Sequence, residues 1–399
     1  MGKKFPLPID FLILLAGIIL RVLVISHVQK DIHCHSTPDS FRFLEEAQTI
    51  LQQGTLPEYF DMPLYPLFLA LLILAGCHKF SILLVSSILS YLCFFVLMRK
   101  SGGTQGALLA TFFPPHIIFS GLLLSEIIGA TLFFLSFYFL WQNNKSTFRE
   151  FIAGVFASFS LLCRIFTAFP LFIVMIVFIA KNRKFPFIYA GLLAITIAGW
   201  GFYNMNRHGR FYLSLTPYFN IYYYHAASVI SSATGENFFR VQDSLWKAAL
   251  NSYEKYTNYC DFYRDLATEG IKIILIHPLA FINNIIKYGI PAIFKPVYGY
   301  PQIILFCRYE NLNPIENSIK WLLIVLQLIF NTYLWFRIIK YTGKWEKYLI
   351  SLTSIYLGIV CGGQQINDVR FRFPLESIWI PLTLIPSKKH SISPKFKGK

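Results

Sequence analysis

The sequence predicts an all-α membrane protein that crosses the bilayer many times, and two features indicate this fold class. Hydrophobic residues make up 55% of the 399 residues and charged residues only 14%, with 40 Phe, so the apolar side chains exceed what one soluble core can bury. Many of them also fall in continuous runs, and about 18 residues at 1.5 Å each suffice to cross a hydrocarbon core roughly 30 Å thick.

The distribution of positive charge indicates topology rather than a nucleic-acid partner. The chain has 36 Lys and Arg against 20 Asp and Glu, a formal net charge of +16. These basic residues lie in short clusters between apolar runs, and such clusters favour the cytoplasmic side of a membrane. The clusters are Arg99-Lys100, 145–149, 181–184, 337–347 and the tail from Lys388.

The apolar runs predict about ten transmembrane helices. The first follows Lys3 and Lys4, and we interpret it as an uncleaved anchor because no small-residue cleavage site follows it. A cleaved signal peptide is the alternative. The predicted spans are 10–27, 81–98, 107–122, 127–141, 151–164, 165–180, 185–203, 319–336, 348–362 and 373–385.

We interpret residues 1–399 as a single domain, and the number of membrane crossings selects one topology for it. The run 63–76 is short and rich in proline, so we interpret it as a re-entrant or interfacial segment. Every basic cluster and both termini are then cytoplasmic. The main outer loops are 28–80, which carries an acidic motif, and 204–318, where we expect interfacial helices; 387–399 is a basic cytoplasmic tail. A further span over 271–294 is the alternative for part of the long loop.

Two acidic residues near the predicted outer face are candidate functional residues. Asp39 opens a predicted helix of the first outer loop, and Glu126 lies at the outer end of a predicted span. A carboxylate at the bilayer boundary is costly unless it faces water, a cation or a bound polar group. The alternatives are a helix N-cap for Asp39 and an interfacial residue that reaches water for Glu126.

Arginines on the same face supply the opposite charge. Guanidinium groups present donors in a fork that matches phosphate oxygens. In the segment 369–376, Arg370 and Arg372 alternate with apolar residues, so an extended chain would direct both arginines the same way. Interfacial arginines that reach the water are the alternative. The candidates are Arg164, Arg207, Arg210, Arg370 and Arg372.

The cysteine and histidine residues give weaker evidence for a disulfide or a metal site. Cys34, Cys260 and Cys307 fall on the predicted outer side, and their pairing is left open because no spacing typical of a motif relates them. The triplet His33-Cys34-His35 supplies too few ligands for a complete metal site, so we interpret it as part of a polar loop.

Several of these residues together resemble the polytopic GT-C class of glycosyltransferases, in particular the bacterial branch similar to protein O-mannosyltransferases and the lipid A aminoarabinose transferase. The resemblance spans most of the chain and depends on order and spacing. One departure is Asp61-Met62, where many relatives carry a basic residue. The matching pieces are Asp39 with Phe43, Ala47 and Gly54; the segment 63–70; Leu124-Ser125-Glu126; 154–164; 200–209; His277-Pro278; and 370–376.

The resemblance implies transfer of a sugar from a polyprenyl-phosphate-linked donor to a lipid, glycan or protein acceptor at the outer, periplasmic face of a bacterial inner membrane. In this hypothesis Asp39 is the catalytic general base and Glu126 orients the acceptor, the donor sugar or a divalent cation. Whether Mg²⁺, Mn²⁺ or no metal is used is left open. Arg370, Arg372 and Arg164 would stabilise the departing phosphate, and Tyr65 and Phe43 would line the pocket.

Two other classes of protein are compatible with the composition. A transporter or lipid flippase would also be polytopic but is expected to show inverted repeats or helices broken near the midplane. A scaffold of an envelope polysaccharide complex would need no acidic pair. The enzyme hypothesis predicts that Asp39, Glu126 and Arg372 meet in one cavity open to the outer leaflet.

Overall fold

The chain folds into helices joined by turns, and no strand occurs in the part described. The computed structural model describes residues 7–28, 37–56, 60–142, 146–294, 314–363 and 371–384. This confirms the predicted all-α class. The helices of the first half are α1 (Leu7–Val28), α2 (Pro38–Gln53), α3 (Leu64–Leu74), α4 (Lys79–Thr111), α5 (Pro114–Phe119), α6 (Ser125–Trp141), α7 (Thr147–Cys163), α8 (Ala168–Asn182) and α9 (Phe187–His208).

The second half contains shorter helices before the chain returns to long apolar ones. Two turns of π-helix, Ile221–Ala226 and Ile285–Gly289, interrupt the shorter set. The helices are α10 (Thr216–Asn220), α11 (Ala227–Thr234), α12 (Phe238–Tyr253), α13 (Tyr259–Ile276), α14 (Pro278–Asn284), α15 (Ile290–Phe294), α16 (Pro314–Tyr341), α17 (Lys344–Gly363) and α18 (Arg372–Leu384).

Helix length and hydropathy identify an integral membrane protein. Four described segments are long and apolar enough to cross a bilayer, and a pair that bends by 94° could form a fifth span. The predicted number of about ten also counts shorter and less apolar helices, such as α6. The four segments are Ile9–Val28, Lys79–Thr111, Ile165–Asn182 and Phe187–His208, and the bent pair is Tyr259–Ile276 with Pro278–Phe294.

The predicted span 107–122 is divided in the structure. Helix α4 already departs from helical geometry at Gly103, whose φ is 59° and ψ −143°, values that favour glycine. It ends at Thr111, and α5 begins at Pro114. Two residues lie between them, Phe112 and Phe113, and Phe113 is extended. A pair of prolines cannot continue a helix because neither has a backbone N–H.

Arg21 on α1 compensates for the break before α5. In an unbroken helix the carbonyls of Ala110 and Thr111 would accept hydrogen bonds from residues 114 and 115, which here are Pro114 and Pro115. The fully buried guanidinium of Arg21 donates to both carbonyls instead, at 3.5 Å each. A membrane interior offers no water for such groups, so this contact makes the break tolerable.

Glycines permit a close approach between α17 and the bent pair. An added Cβ at Gly289 would lie 2.1 Å from the carbonyl oxygen of Gly358, and one at Gly362 would lie 2.6 Å from the Cα of Ile285. Only hydrogen side chains fit at such distances. The π-helical turn Ile285–Gly289 therefore packs against α17 with backbone in contact with backbone.

The buried apolar residues form one large and two small clusters. The large cluster joins the long apolar helices, including α4, α6, α7 and α18. The small ones join the helices between residues 216 and 276, which we call the outer helices because the topology prediction places them outside the cytoplasm. Charged pairs on the outer helices, such as Asp243 with Lys247 and Glu269 with Lys272, are more than half exposed. The separate clusters leave room for a cavity between the membrane helices and the outer helices.

Replacing Arg21 should destabilise the protein. In Arg21→Leu the carbonyls of Ala110 and Thr111 lose their donors inside the membrane bundle, at a cost of about 1–3 kcal/mol for each unsatisfied group. We expect a lower melting temperature of the purified protein in detergent. Arg240→Leu, on the exposed surface of α12, is the control and should melt like the wild type. Equal melting temperatures for the two variants would contradict this account of the break.

Gly289→Ala should also destabilise the protein, because its methyl group would overlap the Gly358 carbonyl. Overpacking of this kind costs about 1–3 kcal/mol. The matched control is Gly191→Ala on α9, where an added Cβ meets nothing within 4 Å. Thermal unfolding should show a loss for Gly289→Ala and none for Gly191→Ala; a similar effect of both substitutions would refute the close packing.

Candidate active site

A cavity of about 620 Å³ lies between the membrane helices and the outer helices. Its volume is in the range typical of small-molecule sites. The membrane helices contribute Ser125, Glu126, Cys163, Arg164, Ile165, Phe166, Tyr356, Val360 and Phe371. The outer helices contribute Thr216, Pro217, Phe219, Asn220, Ile221, Tyr224, His225, Trp246 and Tyr263, and the first outer loop contributes Asp39, Arg42, Phe43, Phe60, Asp61 and Met62.

Glu126 and Arg164 form an ion pair in the cavity wall. Helix α6 begins at Ser125 and the antiparallel α7 ends at Cys163, so the two side chains lie at the same end of the helix pair. Arg164 Nη1 lies 2.5 Å from Glu126 Oε1. The first turn of a helix favours a negative charge, which suits Glu126.

This ion pair is strongly desolvated. The side chain of Glu126 is 1% exposed and that of Arg164 13%. Removing one member of such a pair would leave the other charge buried without compensation. Arg164 Nε is also buried and has no hydrogen-bond partner among the described residues. The arginine therefore has one donor that no described residue uses.

Asp39 does not cap its helix. The N-cap of α2 is Thr37, which forms a capping box with Ser40, so the cap alternative for Asp39 is wrong. The Asp39 carboxylate instead lies 3.1 Å from Arg42 Nη1, one turn further along α2. Its side chain is 28% exposed, which leaves it accessible from the cavity.

Arg42 connects Asp39 to a second carboxylate. Its Nε and Nη2 both donate to Asp61, the latter at 3.0 Å to Oδ1, in a bidentate arrangement. Arg42 thus lies between Asp39 and Asp61, and all three residues line the cavity. Asp61 lies in the segment where many members of the resembled family carry a positively charged residue.

A third carboxyl group adjoins this cluster. Desolvation raises the pKa of Glu46 from 4.5 to about 9, and the negative charge of Asp61 adds to the increase. Glu46 is therefore protonated at neutral pH. The cluster carries two negative charges, on Asp39 and Asp61, with the positive charge of Arg42 between them.

The remaining predicted residues take different places. Phe43 lines the cavity and packs edge to face on Tyr65, with ring centroids 4.9 Å apart. Tyr65 is 2% exposed and supports Phe43 from behind rather than lining the cavity itself. Arg370 lies outside the described residues.

Arg372 is buried next to the cavity wall. It is 0% exposed, pairs with Glu376 at 2.7 Å and donates to the carbonyls of Ala292 and Ile293 at 3.1 and 3.3 Å. It does not line the cavity, but the preceding residue, Phe371, does. Of the trio Asp39, Glu126 and Arg372, the structure brings the first two to one cavity and keeps Arg372 outside the lining.

Sequence reasoning missed several lining residues. Arg42 could have been found from its spacing of three residues after Asp39, which places both on one face of a helix. Asp61 and the aromatic residues of the outer helices carry no comparable signal, because their contacts join segments far apart in sequence.

The described residues offer little for a metal ion. No group of three or more His, Cys, Asp or Glu side chains suited to a metal occurs among them. Cys260 is a buried free thiol. The triplet 33–35 and Cys307 lie outside the described residues, so predictions about them stay predictions.

Comparison with known proteins gives one similar structure. The sequence matches no protein-family model and no curated protein. The crystal structure of ArnT from Cupriavidus metallidurans in the apo state is similar over 91% of this chain and 77% of that chain, with 11% sequence identity and a TM-score of 0.37. At this level the similarity assigns neither a family nor an activity to the protein.

The stability of the protein should depend on pH through Glu46. Its folded pKa is above the unfolded value, so the carboxyl group's contribution is fully present below about pH 4.5 and is lost as pH rises towards about 9. We therefore expect Glu46→Gln to gain stability relative to the wild type over this interval, with no further gain above it. Melting temperatures measured from pH 5 to 10 test this.

Gln48, which is exposed on the same helix and does not titrate, supplies the control for this titration. Gln48→Ala should show the same dependence on pH as the wild type. A difference between Glu46→Gln and the wild type that stays constant with pH would show that Glu46 is ionised in the folded protein.

Proposed function

We propose that this protein is a membrane glycosyltransferase of the GT-C type, which moves a sugar from a polyprenyl-phosphate-linked donor to an acceptor at the outer face of the membrane. The observation that carries the proposal is the single cavity containing Asp39, Glu126 and Arg164. It lies between apolar helices and helices with an exposed charged surface, where a substrate with a lipid tail and a polar head would be accommodated.

The walls of the cavity match the two ends of such a donor. The membrane side presents apolar and aromatic residues, among them Ile165, Phe166 and Val360. A polyprenyl chain gains free energy by remaining in contact with lipid and apolar side chains. The phosphate and sugar would then lie at the level of Arg164 and Asp39.

Asp39 is the proposed general base. It would accept the proton of the acceptor hydroxyl or amine while the acceptor oxygen or nitrogen forms a bond to the anomeric carbon. The bond between that carbon and the phosphate oxygen breaks, and its electron pair leaves with the polyprenyl phosphate. Arg42 would hold the Asp39 carboxylate in place, since the two groups are 3.1 Å apart.

Arg164 is the proposed partner of the departing phosphate. Its guanidinium is held by Glu126 through Nη1 and lines the cavity, so another of its N–H groups could bind a phosphate oxygen without breaking the ion pair. A cation fixed in advance at the site of developing negative charge lowers the barrier, because it needs no reorganisation during the reaction. Glu126 would hold Arg164 and orient the acceptor.

Arg372 fits a positioning role better than direct phosphate contact. Its bonds to the carbonyls of Ala292 and Ile293 fix the start of α18, and Phe371 there lies 5.6 Å below the guanidinium of Arg164. A contact between Arg370 and the phosphate stays a prediction. Whether Glu126 also orients a divalent cation stays a prediction.

The position of the charges favours this proposal over transport. Glu126 is in the first turn of α6 and Arg164 follows the last residue of α7, so the pair lies at helix ends. A transporter is expected to place its substrate site near the midplane, between broken helices.

Asp39→Asn tests the proposal, because it keeps the size of the side chain and removes its basicity. In cells without the protein we expect a polyprenyl-phosphate sugar to accumulate, as measured by mass spectrometry of extracted lipids. Wild-type protein should clear it, and Asp39→Asn should do so about 10²–10⁴-fold more slowly.

Asp243→Asn, on the exposed surface of α12, is the control and should restore clearance fully. Equal amounts of each variant in the membrane are confirmed by immunoblot. Full clearance by Asp39→Asn would disprove its role as base, and the absence of any accumulated lipid-linked sugar would disprove the donor class.

A further inference from the structure

The outer wall of the cavity is a dense aromatic cluster with Phe219 at its centre. The ring of Phe219 meets those of Trp246, Tyr224 and Tyr263 at centroid distances of 5.5, 5.9 and 6.3 Å, in each case edge to face. Phe60, from the first outer loop, adds a further edge-to-face contact with Tyr263 at 5.0 Å. All five rings line the cavity.

Polar side chains are interspersed among these rings. Thr216, Asn220 and His225 also line the cavity. The Thr216 hydroxyl donates to the carbonyl of Phe60 at 3.0 Å, which leaves its oxygen free to accept. Burial lowers the pKa of His225 to about 4, so its imidazole is neutral at neutral pH and has one donor and one acceptor.

This wall is poorly suited to a hydrocarbon tail. It belongs to helices that also carry exposed ion pairs, such as Asp243 with Lys247 on the same helix as Trp246. The apolar membrane helices form the other wall. A lipid tail that reached the outer helices would have to leave the bilayer and pass the charged residues Asp39 and Arg164.

We propose that the outer wall is a subsite for a sugar ring, which stacks on Trp246 and Tyr224 while Asn220, Thr216 and His225 bond its hydroxyls. The inference rests on the proposed function. A sugar ring has a face of C–H groups, and aromatic rings carry negative charge on their faces, so the two attract each other. The ring edge carries hydroxyls, and these require donors and acceptors in the same plane.

The sugar can come from either substrate. The donor's glycosyl group extends from the phosphate away from the lipid tail, in the direction of the outer wall. The acceptor can itself be a glycan. Both present the same ring chemistry, so the experiment must separate them.

The test measures binding to the full chain in lipid nanodiscs by native mass spectrometry, with wild type and Trp246→Ala. The donor probes are bare undecaprenyl phosphate and the same carrier linked to glucose, mannose or galactose. The acceptor probes are soluble chito- and cello-oligosaccharides. Loss of one stacking contact should weaken binding of the recognised sugar roughly threefold to tenfold.

If the wall holds the donor sugar, Trp246→Ala loses the preference for a glycosylated over the bare carrier and binds the bare carrier like the wild type. If it holds the acceptor, only oligosaccharide binding falls. Trp246→Phe should recover most of either loss. Phe239→Ala replaces an exposed aromatic residue on the same helix and should bind every probe like the wild type.

Either of two results would overturn the inference. In the first, the Trp246→Ala protein binds every probe like the wild type. In the second, the wild type binds glycosylated and bare carriers equally and binds no oligosaccharide. Arg164→Gln separates this from failure of the proposed function. That variant should lose affinity for bare and glycosylated carriers alike, and unchanged binding would contradict the phosphate site regardless of the behaviour of Trp246.

Discussion

Charge that a helix carries away from water must be compensated, and the architecture around the cavity follows from this constraint. Glu126 and Arg164 compensate each other at the adjoining ends of α6 and α7. Arg372 is compensated by Glu376 and by two backbone carbonyls. The ion pair of Glu126 with Arg164, and the bonds from Arg372 to the carbonyls, fix the relative position of helices that apolar contacts alone would leave free to slide, because dispersion forces have little directional preference.

The cavity owes its existence to one large and two small hydrophobic clusters that do not merge. The larger one holds the membrane helices together, and the smaller ones hold the outer helices. Between them lie charged side chains that the bilayer interior does not solvate, such as Asp61 and Arg42. A substrate with a lipid tail and a polar head suits such a boundary. Its tail would lie against the membrane helices, and its head would lie among the charged side chains.

The sequence predicted the all-α membrane class, because a long run of apolar residues has one physical outcome in lipid, but it did not predict the division of the span 107–122. Glu126 and Arg164 could be found for the same reason, since a charge at the end of such a run stands out. Arg372 shows the limit of such predictions. The alternation of Arg and Phe indicates that the two residue types point to opposite faces, but it does not indicate which face meets the cavity. The contact of Arg42 with Asp61 joins segments far apart in sequence, which no local pattern records, whereas the break at Pro114 has a local signal in the pair of prolines.

The contact of Arg21 with the proline break has a consequence for biosynthesis. Helix α1 precedes the broken segment in the chain, so the ribosome makes the guanidinium before the carbonyls of Ala110 and Thr111 that it will satisfy. A segment with exposed carbonyls is a poor candidate for independent insertion into lipid. Its entry into the bilayer is therefore coupled to a helix that is already there, and the order of synthesis becomes part of what makes this fold attainable.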